Sequence, residues 1–212
     1  MNPPETGLPP SRFWLVDTAS LLSMAVHEEI ADVVFQETGN DMVVIVDVVI
    51  DELKHRATIP ATASLAKKSL ALVPPSWKRL DTTGEYPVVL LQEVLDAQYD
   101  VADGRPLTND DQHWAESTII AMGRRSAAVG SASIKVLLSE DFDARRVAAQ
   151  VPNMEAVSIH KVLHSRVHRN ELSAEQAANL AAKLEEAGRG PQVTAEDFAD
   201  PTGRLIGRVV KP

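Results

Sequence analysis

The segment Phe13-Trp14-Leu15-Val16-Asp17-Thr18-Ala19-Ser20 decides the fold class of this 212-residue chain. Its four leading apolar residues form a run without polar alternation, which predicts a buried strand. The Asp-Thr-Ala-Ser sequence that follows is typical of the start of a helix, with Asp17 as the N-cap. The segment therefore predicts a strand-to-helix turn that holds a carboxylate at the carboxyl end of a buried strand.

The same alternation of strand and helix continues along the chain. Met42–Val46 and Ile134–Leu138 predict two more buried strands, and residues 156–159 predict a short edge strand. Because Met42–Val46 lacks alternation, both of its faces are expected to be covered, as in a parallel sheet between helices. Helical spacing predicts helices over residues 19–37 (in two pieces around 27–29), 48–57, 61–70, 87–99, 112–127, 144–150, 160–169 and 174–186, with caps at Asp47, at Asn109 or Asp110, and at Ser173. Residues 74–80 read as an extended connector.

These elements predict an α/β fold, a three-layer α/β/α domain with a central parallel sheet of four to five strands. The domain is expected to span residues 13–187. A Pro-rich leader (1–12) precedes it, and an extended tail (188–212) rich in Gly and Pro follows it.

Composition excludes several classes of protein. An apolar fraction of 44% fits an ordinary globular core, and the absence of cysteine excludes a disulfide-stapled module. The longest apolar run, Met42–Val46, is far shorter than the roughly 18 residues of a membrane helix. The leader has no apolar stretch typical of a signal peptide. We therefore expect a cytoplasmic protein without membrane association.

Net charge is −9, which argues against sequence-blind nucleic-acid binding over the whole surface. The charge is uneven, however. Residues 52–80 hold six basic side chains and one acid, whereas residues 81–116 hold nine acids and one base. Two interpretations stay open: each block is a solvated face, or the first is a basic rim beside an acidic pocket.

Four acids carry the chemical prediction. Asp17 and Asp141 follow predicted strands, at the sheet edge where ligands bind in open α/β folds. Glu52 and Glu116 lie in the first turns of helices that begin near that edge. Each acid alone is more often a helix cap or a solvated residue, but four carboxylates together would repel one another and favour Mg²⁺ or Mn²⁺. Such an ion beside a phosphodiester supports hydrolysis, so the pattern predicts a metal-dependent phosphodiesterase.

Four blocks of sequence resemble the acidic motifs of PIN-domain proteins, in particular the VapC-type ribonuclease toxins of bacterial toxin–antitoxin pairs. The blocks are Val-Asp17-Thr-Ala-Ser, Val-Val-Ile-Asp-Glu52-Leu-Lys-His-Arg, Trp-Ala-Glu116-Ser-Thr-Ile-Ile-Ala-Met and Val-Leu-Leu-Ser-Glu-Asp141-Phe-Asp143-Ala-Arg. The resemblance implies a PIN fold, a Mg²⁺- or Mn²⁺-dependent endoribonuclease, a homodimer and a small antitoxin protein that covers the site.

Matching the motifs residue by residue assigns the roles. The metal positions fall on Asp17, Glu52, Glu116 and Asp141, with catalytic roles for Glu52 and Glu116. Asp143 matches an accessory acid, and the hydroxyls that support the pocket fall on Thr18, Ser20 and Ser139. The candidates for binding RNA phosphates are Lys54, Arg56, Lys67, Lys68 and Arg145.

Three features depart from the family pattern: Trp114 before the third acid, the additional leader and tail, and the heavy acidity of residues 81–116. They leave two alternatives open. One is a stand-alone PIN-domain nuclease that processes RNA, and the other is a non-catalytic module of PIN fold that binds RNA or protein. A hydrolase with Asp17 as nucleophile is disfavoured, because such enzymes use Asp-x-Asp and position 19 is Ala.

Two helical stripes invite a functional interpretation. His160, His164 and His168 fall on one helix face, and we expect a polar stripe that faces RNA or a partner rather than a metal site, which would need a fourth ligand. Residues 19–37 carry more apolar side chains than one core face needs. That excess predicts either a groove for a dimer or antitoxin helix, or a helix buried on two sides.

Overall fold

Five strands form one parallel sheet. The computed structural model describes residues 12–39, 41–82, 88–102, 113–130, 133–204 and 206. The strands in chain order are β1 (Arg12–Val16), β2 (Met42–Val46), β3 (Lys78–Leu80), β4 (Ile134–Leu138) and β5 (Met154–Val157). They lie in the spatial order β3-β2-β1-β4-β5, and every neighbouring pair is parallel. All five carboxyl ends therefore lie at one edge of the sheet.

Helices flank this sheet and connect its strands. In chain order they are α1 (Thr18–Met24), α2 (Glu28–Thr38), α3 (Asp47–Arg56), α4 (Ala63–Leu72), α5 (Val88–Val101), α6 (Trp114–Ala128), α7 (Phe142–Ala148), α8 (Ile159–His168), α9 (Ala174–Glu186) and α10 (Ala195–Ala199). The predicted fold class, a three-layer α/β domain with a parallel sheet of four to five strands, is confirmed. No helix in the described part of the chain is both long and apolar enough to span a membrane.

Some local predictions need correction. The connector predicted over residues 74–80 ends in strand β3. This strand pairs with β2 through backbone hydrogen bonds, which a local sequence pattern does not predict. The fourth predicted strand lies two residues earlier, as β5. Asp47 is the first residue of α3 rather than its cap, and its carboxylate accepts hydrogen bonds from the backbone N–H of Val48 and of Thr82 instead. The predicted caps at positions 109 and 110 lie outside the described residues.

The apolar excess of residues 19–37 is used inside the protein. A turn at residues 25–27 separates α1 from α2, as the sequence predicts, and the apolar side chains of both helices are buried: Leu21, Leu22, Met24, Ile30, Val33 and Val34. Helix α1 packs against α2, α3 and α4. The interpretation as a docking groove for a dimer or antitoxin helix is therefore wrong, and the helix is buried on more than one side.

The C-terminal segment is folded, contrary to the predicted extended tail. Thr194 and Asp197 form a capping box at the start of α10. Helix α10 packs on α8 and α9, and the side chain of Phe198 is completely buried. Residues 188–204 therefore pack on the same body as the sheet.

The histidine stripe of α8 faces that segment. His160 and His164 are buried, the His164 Nε2 lies 2.9 Å from the Asp200 carbonyl oxygen, and the His168 Nε2 lies 3.1 Å from that of Phe198. The stripe therefore contacts the chain's own C-terminal segment. The prediction that it faces RNA or a partner is wrong for His164 and His168, whereas His160 lines the cavity described below. Sequence spacing shows which residues share a face but not what covers it.

Phe198→Ala tests whether the C-terminal segment is part of the fold. Removing a completely buried phenyl ring leaves a cavity and should lower the free energy of unfolding by about 3–5 kcal/mol. Phe142→Ala is the matched control, because Phe142 is 43% exposed and the same change should cost less than about 1 kcal/mol. Urea unfolding followed by circular dichroism measures both, and equal small losses would show that residues 188–204 do not stabilise the domain.

Candidate active site

The register of the sheet assembles the candidate site. Val16 of β1 pairs with Leu138 of β4, and Leu138 pairs with Val157 of β5. The pairing continues one residue further, because the Asp17 N–H donates to the Leu138 carbonyl and the Ser139 N–H donates to the Val157 carbonyl. Parallel strands that end in register therefore place Asp17 beside the Ser-Glu-Asp turn after β4.

A cavity of about 680 Å³ opens at this edge of the sheet. Four acids, two arginines and two histidines line it, and the rest of the lining is made of apolar and small residues. The charged and imidazole groups are Glu52, Glu116, Glu140, Asp141, Arg56, Arg189, His113 and His160. The remaining lining residues are Thr18, Ala19, Leu22, Ser158, Gly188, Gly190, Pro191 and Ile206.

Asp17 is completely buried and does not itself line the cavity, but its neighbour Thr18 does, and its charge acts on the lining residue Glu116. It is the N-cap of α1, and its Oδ1 accepts the Ser20 N–H at 2.6 Å. Its Oδ2 is buried without a hydrogen-bond partner. Burial raises the pKa of Asp17 from 3.8 to about 6, the nearby hydroxyls of Ser139 and Ser20 oppose this shift, and the charge of Glu140 adds to it. A buried carboxylate with one oxygen lacking a hydrogen-bond partner is typical of a group that binds a cation or a proton.

Glu116 lies in the first turn of α6 and lines the cavity, with only 8% of its surface exposed. Desolvation by burial raises its pKa well above the ordinary value. The charges of Asp17, Glu52 and Asp141 raise the pKa further. The four predicted acids therefore lie close enough to act on one another, although they come from four separate segments.

Glu52 is held by two neighbours in the cavity wall. The Thr18 hydroxyl donates to its Oε2 at 2.6 Å, and Arg56 donates to its Oε1 through Nε at 2.9 Å and Nη2 at 2.7 Å. Thr18, for which the sequence predicts a supporting role, thus helps to hold Glu52 in the cavity wall. Arg56 lies in the cavity wall as a partner of Glu52, rather than on an open basic surface.

Asp141 repeats the arrangement of Asp17 at the next strand end. It is the N-cap of α7, and its Oδ1 accepts the Ala144 N–H at 2.9 Å. Its Oδ2 lies 3.5 Å from Nδ1 of His113, the N-cap residue of α6. The Ser139 hydroxyl accepts the Asp141 N–H at 3.1 Å, so it also braces the turn. In each aspartate, Oδ1 therefore caps a helix, and Oδ2 takes no part in the cap.

The residues present fit a hard divalent cation by their chemistry. Four carboxylates supply the oxygen ligands that Mg²⁺ and Mn²⁺ prefer, and the unpartnered Oδ2 of Asp17 is a buried acceptor without a donor. No three acidic or imidazole side chains of the described residues are already grouped as a metal centre. An ion would therefore have to draw the carboxylates together, and Glu52 would have to exchange its bonds to Thr18 and Arg56.

Other predicted residues lie away from the cavity lining. The Asp143 Oδ1 lies 3.7 Å from the Arg146 Nε. The Arg145 Nη1 donates to the Ser139 carbonyl at 2.6 Å, within the turn that follows β4. Lys67 and Lys68 are exposed on α4. Lys54 is exposed on α3 and pairs with Asp51 at 2.8 Å. The three lysines can form an outer rim. Arg145 cannot join it as a free cation, because its guanidinium binds the Ser139 carbonyl.

Four charged or imidazole residues of the lining were missed as site residues: Glu140, His113, His160 and Arg189. Glu140 had a signal, since it follows a buried strand between two predicted residues; its Oε1 accepts the Ile159 N–H at 2.7 Å. His160 entered the sequence argument only as part of the histidine stripe. Arg189 has no local signal at all, because its place depends on how the C-terminal segment packs. The sequence thus indicates the acids of the site more readily than its basic residues.

Comparison with known proteins adds one distant structural similarity. No protein-family model and no curated protein matches the sequence. Among solved structures, a chain from the crystal structure of VapBC2 from Rickettsia felis, bound to a DNA fragment from its promoter, aligns with a TM-score of 0.45. The alignment is 11% identical and covers 69% of this chain and 98% of that chain. At this level of similarity, function has to be argued from the chain's own residues.

The raised pKa of Asp17 predicts a pH-dependent effect of Asp17→Asn. Near pH 4 the buried group is protonated and costs little, whereas above its folded pKa of about 6 the wild type keeps a charge that burial disfavours. A shift from 3.8 to about 6 corresponds to about 3 kcal/mol, lost from wild-type stability as the pH rises through this window. Asn retains the helix cap and carries no charge, so the variant should be more stable than wild type above pH 6 and similar to it near pH 4.

Urea unfolding in EDTA at both pH values measures this difference. Asp51→Asn is the control, because Asp51 is an exposed residue of α3 and its replacement should change stability by less than about 0.5 kcal/mol at either pH. A destabilised Asp17→Asn variant at neutral pH would contradict the assignment of a strained buried carboxylate.

Proposed function

We propose that this protein is a metal-dependent endoribonuclease that hydrolyses phosphodiester bonds of RNA. The observation that carries the proposal is the buried Asp17 carboxylate, whose free Oδ2 lies behind a cavity lined by further acids. The Ser20 N–H and the hydroxyls of Ser139 and Ser20 compensate this burial only in part, and a divalent cation would offset the rest. A binding module without a cation has no use for such a group.

The proposed cofactor is Mg²⁺ or Mn²⁺, held by the strand-end aspartates Asp17 and Asp141. When bound, such an ion supplies positive charge to a phosphodiester and promotes ionisation of water. The two aspartates suit direct ligation, because each is fixed by a helix cap through one oxygen. Backbone that is held by both a strand and a helix allows little movement of the remaining oxygen.

The glutamates are proposed to do different work. Burial and the neighbouring acids raise the pKa of Glu116, which lines the cavity, so its carboxylate has an increased affinity for a proton taken from water. Glu52 accepts hydrogen bonds from Thr18 and Arg56, which orient its carboxylate. Glu116 is therefore the candidate general base, and Glu52 the candidate group that positions ligands through water.

The resemblance of the four acidic blocks to PIN-domain proteins supports RNA as the substrate rather than DNA. It extends the proposal to the role of toxin in a toxin–antitoxin pair, with a cytoplasmic location, a homodimer and a small antitoxin as partner. The apolar helices α1 and α2 are buried, so an antitoxin would have to contact a different surface. Purification of the protein with the product of an adjacent short gene tests this role.

The outer basic rim is proposed to guide RNA toward the cavity. Lys67 and Lys68 are exposed on α4, which packs against α1 and α3, the helices that carry Thr18 and Glu52. Long-range attraction from exposed lysines offsets the repulsion of a phosphate backbone by a chain of net charge −9.

Glu116→Gln tests the chemistry. The variant should keep most of its Mn²⁺ affinity but lose cleavage rate by about 10²-fold or more, because an amide cannot accept the proton. The assay is single-turnover cleavage of total RNA across a Mn²⁺ titration, with Glu186→Gln as the matched control on an exposed position. Cleavage at the wild-type rate by Glu116→Gln, or wild-type cleavage in excess EDTA, would refute the mechanism. Failure of the wild type to cut any RNA tested would favour the non-catalytic alternative.

A double substitution, Lys67→Gln with Lys68→Gln, tests the rim. It should weaken RNA binding and reduce the slope of log affinity against log salt by about 0.7 for each phosphate of a single strand that the variant no longer binds. Lys78→Gln is the control, since Lys78 is exposed at the amino end of β3, opposite the edge that holds the site. An unchanged salt slope in the double variant would favour the interpretation of a solvated face.

A further inference from the structure

The C-terminal segment places an arginine in the cavity by a defined helix ending. After α9, Gly188 adopts a positive φ of 67° and donates its N–H to the Glu185 carbonyl, and Arg189 donates its N–H to the Leu184 carbonyl. This pair of bonds is a Schellman motif, which favours glycine at the left-handed position. These two backbone hydrogen bonds fix the position of the Arg189 main chain, from which its side chain extends.

The guanidinium of Arg189 is anchored on α1. Its Nε donates to the Ser23 hydroxyl at 2.9 Å and its Nη2 donates to the Ala19 carbonyl at 2.9 Å. A guanidinium has five N–H donors, so these two bonds alone do not saturate it. Both acceptors are uncharged, and no carboxylate in the described part of the chain forms a salt bridge with Arg189. Its charge is therefore positioned without a directly paired carboxylate, although the nearby acids Glu140 and Asp17 attract it.

The neighbouring residue keeps this segment against the cavity wall. A Cβ atom on Gly190 would lie 2.4 Å from Cε1 of His160, closer than any real contact. Only glycine lets the backbone approach the buried imidazole this closely. Because His160 also lines the cavity, this contact holds residues 188–191 at the site.

A second arginine shares the cavity with Arg189. Arg56 lines it as well, and the positive charges of the two side chains act on each other. Glu140 and Asp17 attract Arg189 and Arg56 repels it, while Arg56 is itself paired with Glu52. Phosphate is the anion that guanidinium donors match best, since two parallel N–H groups can bind two of its oxygens.

We propose that Arg189, together with the donors of Arg56 that its pairing with Glu52 leaves unused, binds a backbone phosphate of the RNA that enters the cavity. The proposal rests on the proposed ribonuclease function and adds the C-terminal segment to the substrate site. Arg189 is a residue that binds and orients the substrate; the acids remain responsible for the chemistry. The segment 188–191 thus adds a positive charge to a cavity that acids also line.

Equilibrium binding of a short fluorescein-labelled single-stranded RNA, measured by fluorescence anisotropy with Mn²⁺, tests the proposal. All proteins carry Glu116→Gln to slow cleavage. Arg189→Gln should weaken affinity about 10-fold and flatten the salt slope by about 0.7. Arg204→Gln, on an exposed arginine of the same segment, should leave both unchanged. Ser23→Ala keeps the charge but removes an anchor, so it should weaken affinity a few-fold with the salt slope preserved.

The outcomes separate this proposal from the proposed function. Thermal melting shows whether Arg189→Gln is folded, and if it is not, the Ser23→Ala result decides. Equal affinity and slope for the folded Arg189→Gln and Arg204→Gln variants would overturn the role of Arg189, as would the absence of RNA binding by the parent protein. Cleavage by the wild type is scored in a separate assay. Loss of affinity in Arg189→Gln without any wild-type cleavage would keep this proposal and refute the nuclease.

Discussion

The Asp17 carboxylate caps a helix, but its burial disfavours its negative charge, and the candidate site depends on both effects. One oxygen caps α1 by accepting the Ser20 N–H, which fixes the turn between the first strand and the first helix. The other oxygen is buried with no partner, at a position that desolvation makes unfavourable for a charge. A cap could be supplied by Ser or Asn at lower cost, so structural need alone does not account for an acid here. In the proposed function, a cation compensates this acid.

The same constraint explains the composition of the cavity. Glu116, Glu52 and Asp141 raise the local negative potential, and Arg56 and Arg189 line the same cavity. A site that combines acids with arginines suits a ligand of both signs, such as a divalent cation with a phosphodiester. A simple anion site would not need the acids, and a simple cation site would not need the arginines.

Local patterns were sufficient to predict the core of the fold and the acids. Buried runs at Met42–Val46 and Ile134–Leu138, and acids that follow strands, are visible in a single sequence because each depends on its neighbours in the chain. The strand β3, the helix α10 and the place of Arg189 depend on partners far away in the sequence. The α8 histidines show the same limit: spacing predicts a common face, whereas the C-terminal segment that covers the face is set by tertiary packing.

Proton release on metal binding tests the central claim most directly. Isothermal titration of Mn²⁺ near pH 6, in two buffers of different ionisation enthalpy, counts the protons displaced by each ion. Because the carboxylates of Asp17 and Glu116 have raised pKa values, binding should release on the order of one proton per ion, and less as the pH rises. Binding without proton release, or no binding of Mn²⁺, would contradict the account of these buried acids as a metal site.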